Sequence, residues 1–138
     1  MFLDSSGMVK LYRSESGSRD VAMRLSQAEE LGVSALSLTE VISALCRWRR
    51  ENVLDGAQYR ETKRQFQADW KDATVVELTA AVYGRAVHLL ENWTLRSSDA
   101  LQTACAIEWG ADLFVSADSR QCTAARGAGL KVELLTVG

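Results

Sequence analysis

Four acidic residues in this sequence stand where the chain could assemble a reactive site. Asp4 and Asp118 each close a short apolar segment typical of a buried strand, MFL before Asp4 and LFVSA before Asp118. Glu40 and Asp99 each fall in the first turn of a predicted helix. Ligands of open α/β sheets bind beyond the carboxyl ends of the strands, where the next helices begin. We therefore expect the four carboxylates at one edge of a sheet.

Carboxylates gathered in this way need a counter-charge. Two of them about 4 Å apart repel by roughly 4 kcal/mol at an effective dielectric near 20. A set of oxygen ligands without His or Cys selects hard ions, which predicts one or two Mg²⁺ or Mn²⁺ ions and disfavours zinc. The lone His88 lies within a predicted helix, away from the acids. Such ions activate water and neutralise a phosphate under in-line attack, so the pattern indicates phosphodiester hydrolysis.

Each acid also has a purely structural explanation. The two strand-end acids could be plain N-caps of the helices that follow them. The segment Ser37-Leu38-Thr39-Glu40 has the form of a capping box, in which Glu40 would bond the backbone N–H of Ser37. Ser97 and Ser98 could cap the helix that carries Asp99, which leaves that acid free for other work.

The elements that must position these acids alternate along the chain. Hydrophobic periodicity predicts a helix directly after Asp4 and another between 118 and 132. Strands alternating with helices predict an α/β sandwich, with a mostly parallel sheet of about five strands flanked by helices, and a single domain over residues 1–138. The predicted strands are 1–4, 32–36, 74–78, 112–118 and 132–135, and the other predicted helices are 18–30, 38–50, 55–72, 80–93 and 97–109.

Composition limits which ligands and which cellular compartment we expect for this protein. Sixteen basic and eighteen acidic residues nearly balance, so any nucleic-acid contact must come from a local basic patch. The three cysteines lie apart in predicted helices, which favours free thiols in a reducing compartment over a disulfide framework or a zinc site. The sequence shows neither a signal-peptide core nor an apolar run of about 18 residues, so we expect a soluble cytoplasmic protein.

Four sequence motifs resemble those of a known family. Segments 3–12, 37–41, 98–102 and 110–118 are similar, in order and spacing, to the four acidic motifs of PIN-domain nucleases, particularly the VapC toxins of toxin–antitoxin pairs. No single motif is specific, but the four together extend over nearly the whole chain. The resemblance implies a PIN-like αβα sandwich and cleavage of RNA by a metal-activated water.

The resemblance also implies a role for each acid. Asp4 and Asp99 would bind the metal directly, and Asp118 would bind it directly or through water. Glu40 would complete the site, by orienting the attacking water or by binding a second ion. Two supporting hydroxyls, Ser6 and Ser116, match positions that hold a carboxylate or the scissile phosphate, although capping and turn roles explain them nearly as well.

Substrate and partner surfaces follow from the same resemblance. VapC relatives bind an antitoxin through helices and commonly form homodimers, and DNA contact would come only through the antitoxin. Basic side chains near the acidic edge could contact RNA phosphates, with ordinary solvated charge as the alternative, and they are Lys10, Arg13, Arg96 and Arg120. Aromatic residues of the two middle helices are expected first as core and second as an antitoxin groove, and they are Trp48, Tyr59, Phe66 and Trp70.

Two other functions stay open for the acidic edge. An aspartate-nucleophile phosphatase could use Asp4, but such enzymes usually place a second acid two residues later, where this chain has Ser6. A regulatory α/β module could hold a metal in an acidic pocket without catalysis, although four carboxylates exceed what such a pocket needs.

Overall fold

The sheet of this protein is fully parallel. The computed structural model describes residues 1–135, and within them five strands pair in the order β3-β2-β1-β4-β5. This arrangement confirms the predicted α/β class and strand number. The strands are β1 (Phe2–Leu3), β2 (Gly32–Ser34), β3 (Thr74–Val76), β4 (Phe114–Ser116) and β5 (Val132–Leu134).

Seven α-helices connect these strands within residues 1–135. The five helices for which the sequence predicts bounds, 18–30, 38–50, 55–72, 80–93 and 97–109, each lie within three residues of those bounds at both ends, and the strands are shorter than predicted. None of the described helices is both long and apolar enough to cross a membrane. The helices are α1 (Ser5–Met8), which continues as a 3₁₀ turn (Val9–Leu11), α2 (Ser18–Gln27), α3 (Ser37–Arg50), α4 (Gly56–Asp72), α5 (Ala80–Asn92), α6 (Ser97–Trp109) and α7 (Ser119–Gly127).

Alternation along the strands builds one apolar core on each face of the sheet. Phe2 and Phe114 point to the face covered by α5, α6 and α7, where they stack with ring centroids 6.0 Å apart. Leu3 and Val115 point to the opposite face, which α1, α2, α3 and α4 cover. A sheet buried on both faces needs continuous apolar strands, which explains why the strand sequences read as uninterrupted hydrophobic runs.

The aromatic residues of α3 and α4 belong mainly to the second core. Trp48 and Phe66 are buried there, which confirms the first expectation for these two rings and rules them out as lining of an open antitoxin groove. The reason is the helical hairpin itself, because α4 folds back on α3 and turns both rings towards the sheet. Tyr59 and Trp70 are half-buried, and their contact with an antitoxin stays a prediction.

Candidate active site

The acidic edge begins where the strand order reverses. From β1 the chain builds β2 and β3 on one side, then crosses to add β4 and β5 on the other, which creates a crevice beyond the carboxyl ends of β1 and β4. Leu3 pairs with Val115, and this register aligns the next residues, Asp4 and Ser116. Asp118 follows two residues later. Strand pairing thus brings the first and last sequence motifs together.

Asp4 is the most deeply placed of the four acids. Its side chain is completely buried and accepts hydrogen bonds from Ser116 Oγ (2.6 Å), Ser6 Oγ (2.8 Å) and the Gly7 backbone N–H (2.9 Å). Burial raises the pKa of this carboxyl from 3.8 to about 6, although the hydrogen bonds act in the opposite direction and Asp118 adds to the rise. The bond to Gly7 makes Asp4 the N-cap of α1, so its capping role is confirmed.

Two serine hydroxyls fix Asp4 against the end of β4. Ser6 Oγ bonds both carboxylate oxygens of Asp4 and also accepts the backbone N–H of Ala117 at 3.0 Å. Ser116 Oγ donates to Asp4 and accepts the backbone N–H of Asp118 at 2.9 Å. Both hydroxyls therefore hold the carboxylate and shape the turn, and the two roles weighed from the sequence coexist.

Asp118 caps α7 and stays partly open to solvent. Its Oδ1 accepts the backbone N–H of Arg120 at 2.9 Å and that of Gln121 at 3.4 Å. The capping role expected for this acid is confirmed. Because only one of its oxygens takes part in these bonds, the side chain keeps a second oxygen that can act as a ligand.

Glu40 does not form the predicted capping box. The N-cap of α3 is Leu36, so Ser37 already lies inside the helix and its hydroxyl bonds Gln102 Nε2 at 3.1 Å and Ser5 Oγ at 2.9 Å. Glu40 Oε1 accepts hydrogen bonds from Gln102 Nε2 (2.7 Å) and Ser5 Oγ (2.9 Å). Partners from two other elements thus outcompete the local bond, and they turn Glu40 towards the crevice instead of its own helix end.

Asp99 is mostly buried and both of its oxygens are occupied. Gln121 Nε2 donates to Oδ1 and Arg96 Nε donates to Oδ2, each at 3.1 Å. The expected capping by Ser97 and Ser98 is wrong, because the N-cap position is Arg96 and no side chain within residues 1–135 caps this helix. The Asp99 carboxylate is not left free, because it bonds the side chains of Gln121 and Arg96.

The four basic side chains proposed for RNA contact separate into different environments. Arg96 is exposed and donates to Asp99, which raises the pKa of the guanidinium, and the charges of Asp118 and Glu40 raise this pKa further. Arg120 is exposed at the start of α7, next to Asp118. Contact of these two side chains with RNA stays a prediction.

Lys10 and Arg13 have other partners. Lys10 is buried, and its ammonium donates to the Ser16 carbonyl at 2.7 Å, so the prediction that it contacts RNA is wrong. Its stem packs against Gly17, which explains why a lysine is tolerated inside. The Arg13 guanidinium lies 5.3 Å over the ring of Trp48, an ordinary cation–π contact.

Sequence reasoning missed two glutamines that contact these acids. Gln102 lies three residues after Asp99 and Gln121 lies three residues after Asp118. Residues spaced by three share one helix face, so each glutamine returns to the side of the helix that carries the acid before it. A search one turn beyond each acid for polar side chains would have found both.

The donor set of the crevice fits a hard divalent cation. The atoms that could bind the cation are oxygens of carboxylates and hydroxyls. Asp4 forms no ion pair within the described residues. Among residues 1–135 no three acidic, His or Cys side chains form a ready-made metal cluster. The carboxylates are instead held by hydroxyls, amides and Arg96, and because both oxygens of Asp99 are bonded, binding of an ion by this acid requires it to exchange a partner.

Comparison with known proteins gives consistent matches over the chain. The PIN domain family model matches residues 1–127. Ribonuclease VapC45 of Mycobacterium tuberculosis is 32% identical over 134 residues, which cover 96% of this chain and 93% of that protein.

Solved structures share the fold at lower identity. A chain of a toxin–antitoxin complex from Klebsiella pneumoniae superposes with a TM-score of 0.71 at 15% identity, covering 98% of this chain and 97% of its own. The Mycobacterium tuberculosis toxin VapC20, described as cleaving the sarcin-ricin loop, gives a TM-score of 0.68 at 15% identity over 94% and 95% of the two chains. With the domain model and the VapC ribonuclease covering most of its length, this chain belongs to the PIN-domain family, among its VapC-type members.

Proposed function

We propose that this chain is a metal-dependent endoribonuclease and the toxin component of a VapBC-type toxin–antitoxin system. The observation that carries the proposal is a fully buried Asp4 at the strand-order reversal, linked through hydroxyls to the end of β4 where Asp118 lies. A buried carboxylate is costly unless it is paired or binds a metal. The VapC ribonuclease at 32% identity supports RNA as the substrate class.

Each acid of the crevice has its own proposed role in hydrolysis. Asp4 and Asp99 would hold a Mg²⁺ or Mn²⁺ ion, and Asp118 would hold it directly or through water. Glu40, fixed at one oxygen by Gln102 and Ser5, keeps its other oxygen for orienting the attacking water or binding a second ion. When bound, such an ion neutralises charge on the phosphate and lowers the pKa of a water molecule. Ser6 and Ser116 would orient Asp4 through the hydrogen bonds that their hydroxyls donate to its carboxylate.

Purified protein is expected to cleave RNA internally when Mg²⁺ or Mn²⁺ is present and to stop when EDTA is added. Gel analysis of a defined RNA with labelled ends separates internal cleavage from exonuclease activity. The same preparation should release no inorganic phosphate from a phosphate monoester. Phosphate release without RNA cleavage would favour an aspartate-nucleophile phosphatase, and metal binding without either activity would favour a regulatory module.

Arg96→Ala is expected to weaken RNA binding about uniformly across sequences and to lower the slope of log affinity against log salt by about one. The reason is that Arg96 is the exposed cation beside Asp99, where a phosphate at the metal site would lie. Binding is measured by fluorescence anisotropy at several salt concentrations with Ca²⁺ in place of Mg²⁺. Arg85→Ala is the matched control, because Arg85 pairs with Glu108 at the far end of α6. Equal salt slopes for both variants would contradict the contact.

The partners of this chain form the second part of the proposal. A cognate VapB-type antitoxin is supported by the structural neighbours from toxin–antitoxin complexes, and DNA contact would come through that antitoxin. Tyr59 and Trp70 remain the candidate antitoxin contacts, and a homodimer is the expected assembly. A cytoplasmic location fits the three free cysteines, Cys46, Cys105 and Cys122.

A further inference from the structure

Two buried glutamines beneath the acidic crevice carry an unusual feature. Gln102 is 2% exposed and Gln121 is 4% exposed, and the carbonyl oxygen Oε1 of each has no hydrogen-bond partner within residues 1–135. Most buried polar atoms in proteins are paired, and leaving one unpaired is destabilising. Each glutamine therefore needs a reason to be there that outweighs this cost.

The acids fix the orientation of both amides. Gln102 Nε2 lies 2.7 Å from Glu40 Oε1, and Gln121 Nε2 lies 3.1 Å from Asp99 Oδ1. A carboxylate only accepts hydrogen bonds, so a reversed amide would place its carbonyl oxygen against another oxygen. The NH₂ group of each amide must face the acid, and the unpaired carbonyl is the consequence.

Gln121 connects the two acids on either side of the crevice. Its side chain holds Asp99, and its backbone N–H contacts Asp118 Oδ1 at 3.4 Å. Of the two side chains that bond Asp99, that of Arg96 is exposed to solvent, whereas that of Gln121 is buried. When Asp99 takes a new ligand, Arg96 can therefore leave while Gln121 keeps the carboxylate in place.

Gln102 bonds several side chains on the other side of the crevice. Its Nε2 lies within 3.1 Å of three acceptors, namely Glu40 Oε1, Ser5 Oγ and Ser37 Oγ. The acceptors lie on α1 and α3 and the amide lies on α6, so this contact joins three elements. One amide thus sets the distance of Glu40 from the turn that carries Asp4.

We propose that Gln121 and Gln102 are positioning residues of the ribonuclease site, the first holding Asp99 for the metal ion and the second holding Glu40 for the attacking water. This inference rests on the proposed function. A purely structural role predicts a different result. A residue kept only for packing could be replaced at least as well by an apolar side chain of the same length.

The test replaces each amide by methionine, which keeps the length and removes both polar groups. Gln121→Met is expected to keep its melting temperature and to bind Mn²⁺ about 10–100-fold more weakly, the usual effect of losing an outer-shell partner of a metal ligand. Binding is measured by electron paramagnetic resonance of Mn²⁺ without RNA. Cleavage by this variant should recover as Mn²⁺ is raised. Gln102→Met should bind Mn²⁺ within about threefold of wild type and show a kcat about 10–100-fold lower that excess Mn²⁺ does not restore.

Thr123→Val is the matched control, because Thr123 lies on α7 next to this region but is exposed and bonds only its own helix. Unchanged Mn²⁺ binding and cleavage in both methionine variants would overturn the proposal. So would a fall in melting temperature that accounts for the lost activity, since that result assigns the glutamines to stability. If wild-type protein binds Mn²⁺ but cleaves no RNA, the proposed function fails, and unchanged Mn²⁺ binding in Gln121→Met then separately rejects the role of Gln121.

Discussion

Asp99→Asn is expected to lower metal-dependent RNA cleavage by at least about a hundredfold while the fold stays intact. The substitution replaces one carboxylate oxygen by an NH₂ group, which cannot bind a metal ion. It also faces two donors, Gln121 Nε2 and Arg96 Nε, with an amide that can accept from only one of them. Loss of a ligand should exceed the 10–100-fold effect typical of losing its outer-shell partner.

The measurement is single-turnover cleavage of a defined RNA at saturating Mn²⁺. Glu108→Gln provides the control on the same helix, because Glu108 is exposed and pairs with Arg85 instead of facing the crevice. Its cleavage rate should match wild type. Full activity of Asp99→Asn, or an equal loss in Glu108→Gln, would reject Asp99 as a metal ligand.

The sequence predicts most of the fold because both cores follow simple periodicities. Apolar strands ending at Asp4 and Asp118 and the helix stripe of α3 are local patterns, and local patterns survive in the structure. The common edge of the four acids follows from the parallel order of the strands. What the sequence could not supply is register. The bond between Asp4 and Ser116 depends on the pairing of Leu3 with Val115, across more than a hundred residues.

Two of the errors in the site come from contacts that form only when the chain packs. Glu40 has a local capping option, yet Gln102 and Ser5 bind its carboxylate instead. Lys10 looks like a solvated charge in the sequence, but the fold buries its stem and offers the carbonyl of Ser16 to its ammonium. In each case the distant or buried partner is visible only once the elements are packed.

Asp4→Asn is expected to stabilise the metal-free protein at neutral pH, by up to about 3 kcal/mol. Burial raises the pKa of Asp4 to about 6 in the folded chain, against about 3.9 in an unfolded one, and each unit of difference is worth about 1.4 kcal/mol. The side chain is completely buried, so solvent screening does not reduce this value. An asparagine carries no charge to desolvate and keeps one oxygen for the backbone N–H of Gly7.

The difference in stability between Asp4→Asn and wild type should depend on pH in a defined direction. Between about pH 4 and 6 the folded wild-type protein binds more protons at Asp4 than the unfolded chain, so its stability falls as pH rises through this window. Thermal unfolding in EDTA should therefore show Asp4→Asn gaining its advantage over wild type from pH 4 to pH 6 and keeping it above. A matched Asp112→Asn variant, at the opposite end of the sheet, should show no such gain, because Asp112 pairs with the N-terminal ammonium and its pKa is lowered.

Mg²⁺ should reverse the order of the two proteins. A ligand that binds only the folded state stabilises it in proportion to the logarithm of its concentration over its dissociation constant. Wild-type protein should gain melting temperature with Mg²⁺ and Asp4→Asn should not, since the variant lacks the carboxylate proposed as the central ligand. A wild-type protein that is more stable than Asp4→Asn in EDTA at pH 7 would show that hydroxyl and backbone bonds fully offset the burial of this charge. The buried carboxylate would then need no metal, and the main physical argument for a cation at this edge would be lost.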